Sequence, residues 1–164
     1  MNVIFESENI YYAEVSEEFI EDYLIMLNDA EHVARFISAR SKPYTAEKEA
    51  VWVQKKLTEK APVFSMVEKA SGAFIGNIEL MDFQDGAAML GIAITAAQQD
   101  KGFGSEAVAA ILRWGFETLG LRRIWLKARP FNARALRVYE KCGFREYDRT
   151  EEDVFMEVFK NENA

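Results

Sequence analysis

Apolar and polar residues recur with two different periods along this chain, and the switches between them mark its elements. Near the N-terminus the period is helical: over 17–28, EEFIEDYLIMLN, Phe19, Ile20, Tyr23, Leu24 and Leu27 share one face, with Ser16 as N-cap. A second helix is predicted over 45–60, opened by Thr45 in a T-x-x-K arrangement and carrying Ala50, Val51, Val53, Gln54 and Leu57. The period then drops to two. Strands are predicted over 63–68, 73–82 and 87–95, joined at Ser71-Gly72 and Asp85-Gly86, as an antiparallel meander. After Gly104 it returns to 3.6, with Val108, Ile111, Leu112, Gly115, Phe116 and Leu119 in one stripe that Gly120 ends. RRIWLKA (122–128) is a strand, ARALRVYEKCG (133–143) a helix, and FREYD and VFMEVF are closing strands.

With one strand ahead of the first helix, the order is β, α, α, β, β, β, α, β, α, β, β. Strands alternating with helices in the later part imply an α+β (α/β) fold: a mixed, mostly antiparallel central sheet of about seven strands flanked by about four helices. At 164 residues and 49% hydrophobic content the chain has the size of a single domain, 1–164, able to fill one core. No repeat, low-complexity tract or linker argues for a second one.

Charge narrows the partners. Twenty basic side chains against 27 acidic ones give a net charge of −7, which disfavours nucleic acid and suits cationic partners. The single cysteine, Cys142, excludes an internal disulfide framework and fits a reducing, cytoplasmic setting. One histidine and one cysteine far apart make no ligand set, so no metal is expected. The N-terminus has neither a basic flank nor a long apolar run, so no signal peptide or membrane anchor is expected.

The candidate chemistry lies in QDKGFGSEAVAAIL, 99–112, between the end of a strand and the start of a long helix. A helix N-terminus offers unpaired amides and about half a positive charge, Gly102 and Gly104 allow close backbone approach, and Lys101 adds a cation; together they make a phosphate cradle. GxxxxGK[ST] is absent. GFGSEA satisfies the dinucleotide fingerprint, but a loop separates it from the strand and no acidic residue follows at the expected distance.

Two motifs in order point elsewhere. Gln99-x-x-Gly102-x-Gly104 resembles the Q/R-x-x-G-x-G/A motif of the GNAT superfamily of acyl-CoA-dependent N-acyltransferases, and Asn132, Ala135, Tyr139, Lys141, Gly143 and Phe144 meet its N-x-x-A-x-x-x-Y-x-K-x-G-F pattern. PYTAEKEAVWV and GFETLGLRRIWLKARPFNARALRVYEKCGF are similar to the RimJ/RimL-like branch, whose members acetylate protein N-termini, polyamines or small amine drugs. The resemblance implies acetyl-CoA as cosubstrate, its pyrophosphate meeting backbone amides from Gln99 to Gly104, Gly102 and Phe103 among them, with Lys101 and Ser105 near the phosphates. It also implies that the strand ending Ile92, Ala93, Ile94 splays from the next one to admit the pantetheine arm, that Asn132 touches the same arm, and that Tyr139 lies beside the thioester sulfur.

Acetyl transfer to an amine needs a base for the ammonium and an acid for the departing thiolate. Tyr139, with a reference pKa of about 10, is the candidate acid. Glu79 is the candidate base: alternation puts it on one strand face with Asn77, although a solvated sheet face explains that spacing equally well. His32 is read as structural. Trp52, Tyr44, Phe36 and Phe83 with Glu31 and Asp82 are an open set for an amine pocket. The acceptor is expected to be a small-molecule or peptide primary amine, probed against the alternative of a non-catalytic acyl-CoA or peptide binding module, and the protein is expected to be a monomer or homodimer.

Overall fold

The two periods fold as expected, and the switches between them fall close to the element boundaries. The computed structural model of the chain describes residues 1–37 and 43–163. In chain order it holds β1 (Val3–Glu6), β2 (Ile10–Glu14), α1 (Ile20–Leu27), α2 (Arg35–Ile37), α3 (Ala46–Glu59), β3 (Val63–Glu68), β4 (Phe74–Gln84), β5 (Ala87–Ile94), α4 (Phe103–Glu117), β6 (Arg123–Ala128), α5 (Ala133–Lys141), β7 (Arg145–Arg149) and β8 (Val154–Phe159). The strands form one mixed, mostly antiparallel sheet in the order β1-β2-β3-β4-β5-β6-β8-β7. Eight strands stand where the pattern suggested about seven. The additional one is β1, a four-residue strand whose apolar residues Val3 and Ile4 are 37% and 43% exposed and so carry no alternation signal.

Two compact units divide the chain. The first comprises Met1–Glu79 with Ile92–Phe103, and the second Leu80–Gly91 with the chain from Gly104 onward, so that β4 and β5 contribute residues to both.

In the first unit α1 and α3 bury apolar faces around Phe19, Tyr23, Met26, Val53, Val63, Val67 and Phe74. Each such side chain, fully buried, contributes roughly 1.5–3 kcal/mol. The Tyr23 ring meets Trp52 edge-on at 5.8 Å and Phe74 at 5.7 Å. That packing sets the rotation of α3 and corrects the sequence reading: Glu49 and Val53 are its buried residues, while Val51, expected on the inner face, is 70% exposed. Thr45 does cap α3, its hydroxyl accepting from Lys48 N at 3.3 Å, and Lys60 ends the helix in the left-handed region at φ 52°.

β3 and β4 pair antiparallel, Val63↔Glu79, Phe64↔Ile78 and Ser65↔Asn77, with a bulge beyond Met66. Gly76 is required there. A Cβ on it would overlap the carbonyl oxygen of Ala93 in β5, so only a residue without a side chain permits that approach.

In the second unit β4 returns into β5 through Asp85-Gly86, both with positive φ (53° and 78°), as a two-residue type I′ turn demands. α4 buries Val108, Ile111, Leu112 and Phe116. At Gly115 a Cβ would come within 3.1 Å of both Leu80 and Ile124, which is how closely the helix lies on the sheet. Leu119, the last member of the expected stripe, falls past the end of α4 and is 40% exposed.

Candidate active site

The local chain sets the cradle loop. Asp100 and Gly102 take positive φ, 62° and 86°, on either side of Lys101, and α4 begins at Phe103. Backbone alternating into the left-handed region turns successive N–H groups to one side, and the 15-residue helix that follows adds its own unpaired first-turn amides. A Cβ on Gly102 would meet nothing within 4 Å, so a bulky anion has room there. Phe103 is buried beneath the loop. The residues present therefore fit a phosphate group.

Side chains brace this loop in ways the spacing did not reveal. Gln99 Nε2 donates to Ile94 O at 2.9 Å and to His32 O at 3.1 Å, tying the end of β5 to the π-helical turn Ala30–Ala34. The Lys101 ammonium, expected at the phosphates, donates to Gln98 Oε1 at 3.1 Å, and Gln98 is itself buried. Within the second unit, Cys142 Sγ donates to the Ser105 carbonyl at 3.7 Å. Burial pushes the Cys142 thiol up from its ordinary value, against the opposing charge of Lys141, and keeps it a thiol rather than a nucleophilic thiolate.

The pairing of β5 with β6 is short. Parallel partners run from Ala87↔Arg123 to Met89↔Trp125, whereas β6 pairs with β8 along its whole length, to Ala128↔Val154. The ladder between β5 and β6 thus ends before Ile92, Ala93 and Ile94, the residues expected at a splay.

Tyr139 lies on α5, whose N-cap is Asn132: its Oδ1 accepts from Ala135 N at 3.4 Å. The Tyr139 side chain is 9% exposed and packs against Phe144 with ring centroids 5.8 Å apart. Its hydroxyl has no hydrogen-bond partner among the described residues, yet no fully buried side-chain polar atom there lacks one, so the hydroxyl oxygen keeps some access to space outside the core. Desolvation, with a smaller contribution from Cys142, pushes this phenol up to about 12. It is a proton donor that stays protonated across the neutral range.

Glu79 occupies the β4 position opposite Val63, half-buried, on the same strand face as Asn77. On that face runs a buried polar chain: Tyr23 Oη to Ser65 Oγ at 2.6 Å, and Ser65 Oγ to Asn77 Oδ1 at 2.9 Å. Alternation found Glu79 and Asn77 together. It missed Ser65 and Tyr23, whose one signal was a serine inside the apolar run VFSMVE.

The remaining candidates are dispersed. His32 Nδ1 lies 3.1 Å from Asp29, the side-chain cap of the π-helical turn, and the His32 backbone N–H holds the Asp29 carboxyl below the usual range. Trp52 is spent on core packing, Phe36 lies under the Arg35 guanidinium at 4.4 Å, and Tyr44 N donates to the Asn28 amide oxygen at 2.8 Å. Phe83 is half exposed, and Asp82 lines a groove of about 880 Å³ with Arg122, Trp125 and Tyr147. Among the described residues no three His, Cys, Asp or Glu side chains cluster as metal ligands, and no helix is long and apolar enough to cross a membrane.

Residues 11–145, spanning the cradle, β4 and Tyr139, match the family model for the acetyltransferase (GNAT) domain. The chain belongs to the GNAT acetyltransferase family. Enzymes of this family draw the acetyl group from acetyl-CoA. The chain is similar to the uncharacterized N-acetyltransferase YnaD of Bacillus subtilis, 31% identical over 103 residues that cover 62% of this chain and 61% of the relative. It is similar also to spermidine N(1)-acetyltransferase of Vibrio cholerae, 32% identical over 93 residues, 56% of this chain and 54% of that one. The match thus spans less than two thirds of the length of these relatives. In three dimensions the chain superposes on spermidine N-acetyltransferase from Vibrio cholerae in complex with CoA and spermine with a TM-score of 0.81, covering 96% of this chain and 99% of that one at 19% identity, which shows the shared GNAT fold.

Proposed function

We propose that this protein is a single acyltransferase domain that moves an acetyl group from acetyl-CoA to a primary amine by direct attack, as a RimJ/RimL-like member of the family working in the reducing cytoplasm. The observation that carries this reading is Tyr139, a buried ring with an open, firmly protonated hydroxyl. An amine in the acceptor role is supported by the sequence match to a spermidine N(1)-acetyltransferase and by the net charge of −7, which favours a cationic acceptor.

Acetyl-CoA, when bound, supplies the acetyl thioester. The backbone of Gln99 to Ser105, with the first turn of α4, holds the pyrophosphate, and Lys101 needs only to exchange its bond to Gln98 to add its charge. The stretch Ile92, Ala93 and Ile94, beyond the end of the ladder with β6, takes the pantetheine amides along that edge as a strand would, and Asn132, whose Oδ1 is committed to the cap, offers its amide nitrogen to the same arm.

The protons balance as follows. An incoming ammonium gives one proton to Glu79, directly or through water, and the freed lone pair forms the new C–N bond. As the C–S bond breaks, Tyr139 donates its proton to sulfur, and the second proton leaving nitrogen restores the phenol. One proton is released overall, through Glu79.

Thiol release from acetyl-CoA tests this, run with spermidine, an aminoglycoside and peptides bearing free Ser, Ala or Met N-termini. Release that depends on an amine is the expected result. Thermal stabilisation by acetyl-CoA with no release from any amine would instead support a binding module of the same fold.

A further inference from the structure

The direction of the polar chain on this face of β4 follows from its donors alone. Ser16 N–H donates to Tyr23 Oη at 3.3 Å, and among the described residues the only other partner of that hydroxyl is Ser65 Oγ. Both Tyr23 and Ser65 are wholly buried. An N–H can only donate, so the Tyr23 oxygen accepts there and its one proton goes to Ser65. Ser65 then sends its own proton to Asn77, so that Asn77 turns its carbonyl oxygen inward and its NH₂ outward. The reverse orientation would strand a buried phenol proton without an acceptor, which a folded core does not tolerate cheaply. Burial also pushes the Tyr23 phenol up to about 12, so its proton stays in place at neutral pH.

The Asn77 Nδ2 group has no partner among the described residues and is not a buried orphan, so it faces accessible space. Two residues along the same strand face stands Glu79, roughly 6–7 Å away at the rise of a β-strand. A molecule whose nitrogen gives a proton to Glu79 therefore presents its neighbouring atoms to a fixed N–H donor.

Resting on the acetyltransferase reading with Glu79 as base, we infer that Asn77 determines acceptor specificity, selecting amines with a carbonyl or hydroxyl oxygen three bonds from the reacting nitrogen. The α-amino amide of a peptide N-terminus has this chemistry, with its carbonyl oxygen as partner for the Asn77 amide. A polyamine does not: protonated, it brings only N–H donors and positive charge to a group that itself donates. A donor facing a donor leaves both unpaired, and discrimination of this kind is larger than that from a missing methylene.

The test compares kcat/KM for alaninamide, 1-amino-2-propanol and spermidine in the wild-type protein, Asn77→Ala and Asn77→Asp. Taking the ratio of each oxygen-bearing amine to spermidine within one variant, and then comparing variants, cancels differences in amine basicity. The alaninamide ratio is expected to fall about tenfold in Asn77→Ala, the loss of one hydrogen bond. It is expected to fall further in Asn77→Asp, which still accepts from Ser65 but presents an acceptor where the wild type has a donor. The amino alcohol ratio tells whether a hydroxyl is recognised as a carbonyl is. Ratios unchanged within twofold in both variants overturn the inference, provided each still shows the wild-type thermal shift with acetyl-CoA. That outcome leaves acetyl transfer itself standing. Absence of thiol release in the wild type with these three amines and with the aminoglycoside and peptides removes the acetyltransferase reading and this inference with it.

Discussion

At the scale of single residues, the proposed mechanism asks one side chain, Tyr139, to serve two demands. Its ring completes the packing around Phe144, and its hydroxyl, raised to about 12 by that burial, remains available as an acid. Tyr139→Phe keeps the ring and deletes the proton. The expected outcome is a kcat lower by about 10²-fold with acetyl-CoA affinity nearly unchanged, read from steady-state kinetics and a thermal shift titration. An unaltered kcat would take Tyr139 out of the mechanism. The resemblance to a family motif singled out this residue, and the structure places its ring against Phe144; the substitution separates a catalytic phenol from one that only packs.

At the scale of elements, the strands were readable where one face is buried and the other is not, and the helices where an apolar stripe persists over three turns. What escaped was rotation and register. α3 carries Val51, Trp52 and Val53 in succession, and its period alone does not say which of the two valines faces inward; the Tyr23 and Trp52 rings decide it. The glycines illustrate the same division. Gly102→Ala is expected to cost about 1–2 kcal/mol, the strain of a left-handed alanine with open space around it. Gly76→Ala sets a Cβ against the backbone of Ala93 and is expected to cost more, about 2–3 kcal/mol, with weaker stabilisation by acetyl-CoA because Ile92–Ile94 must move. Urea unfolding of the two variants with and without acetyl-CoA checks the ranking; equal losses would mean that β4 and β5 yield freely at this point.

At the scale of the whole molecule, two buried tyrosines make stability sensitive to alkali. Tyr23 and Tyr139 ionise near 12 when folded, Tyr23 chiefly through desolvation opposed by its bond to Ser65, and near 10 in an unfolded chain. Their contribution is complete below pH 10 and is lost as pH rises from 10 toward 12, at about 1.4 kcal/mol per pH unit for each tyrosine. Thermal unfolding followed from pH 8 to 11.5 is expected to show a Tm that holds and then falls. In Tyr139→Phe the fall is expected to be shallower, and an identical slope would show that this phenol does not titrate with unfolding.

By itself the sequence determined what depends on near neighbours along the chain: the alternation of elements, the glycine loop opening α4, the cap at Thr45, and the pairing of Asn77 with Glu79 on one strand face. Those features are set by local periods of two and 3.6 and by the conformational freedom of particular residues. Only the tertiary structure decided what depends on residues far apart in the chain. Gln99 reaches His32, 67 positions away, and Tyr23 reaches Ser65 across 42. The outward amide of Asn77 follows from a proton count that begins at Ser16, because a hydrogen-bond chain in a dry interior must satisfy every member at once and so fixes the direction of the last by the nature of the first.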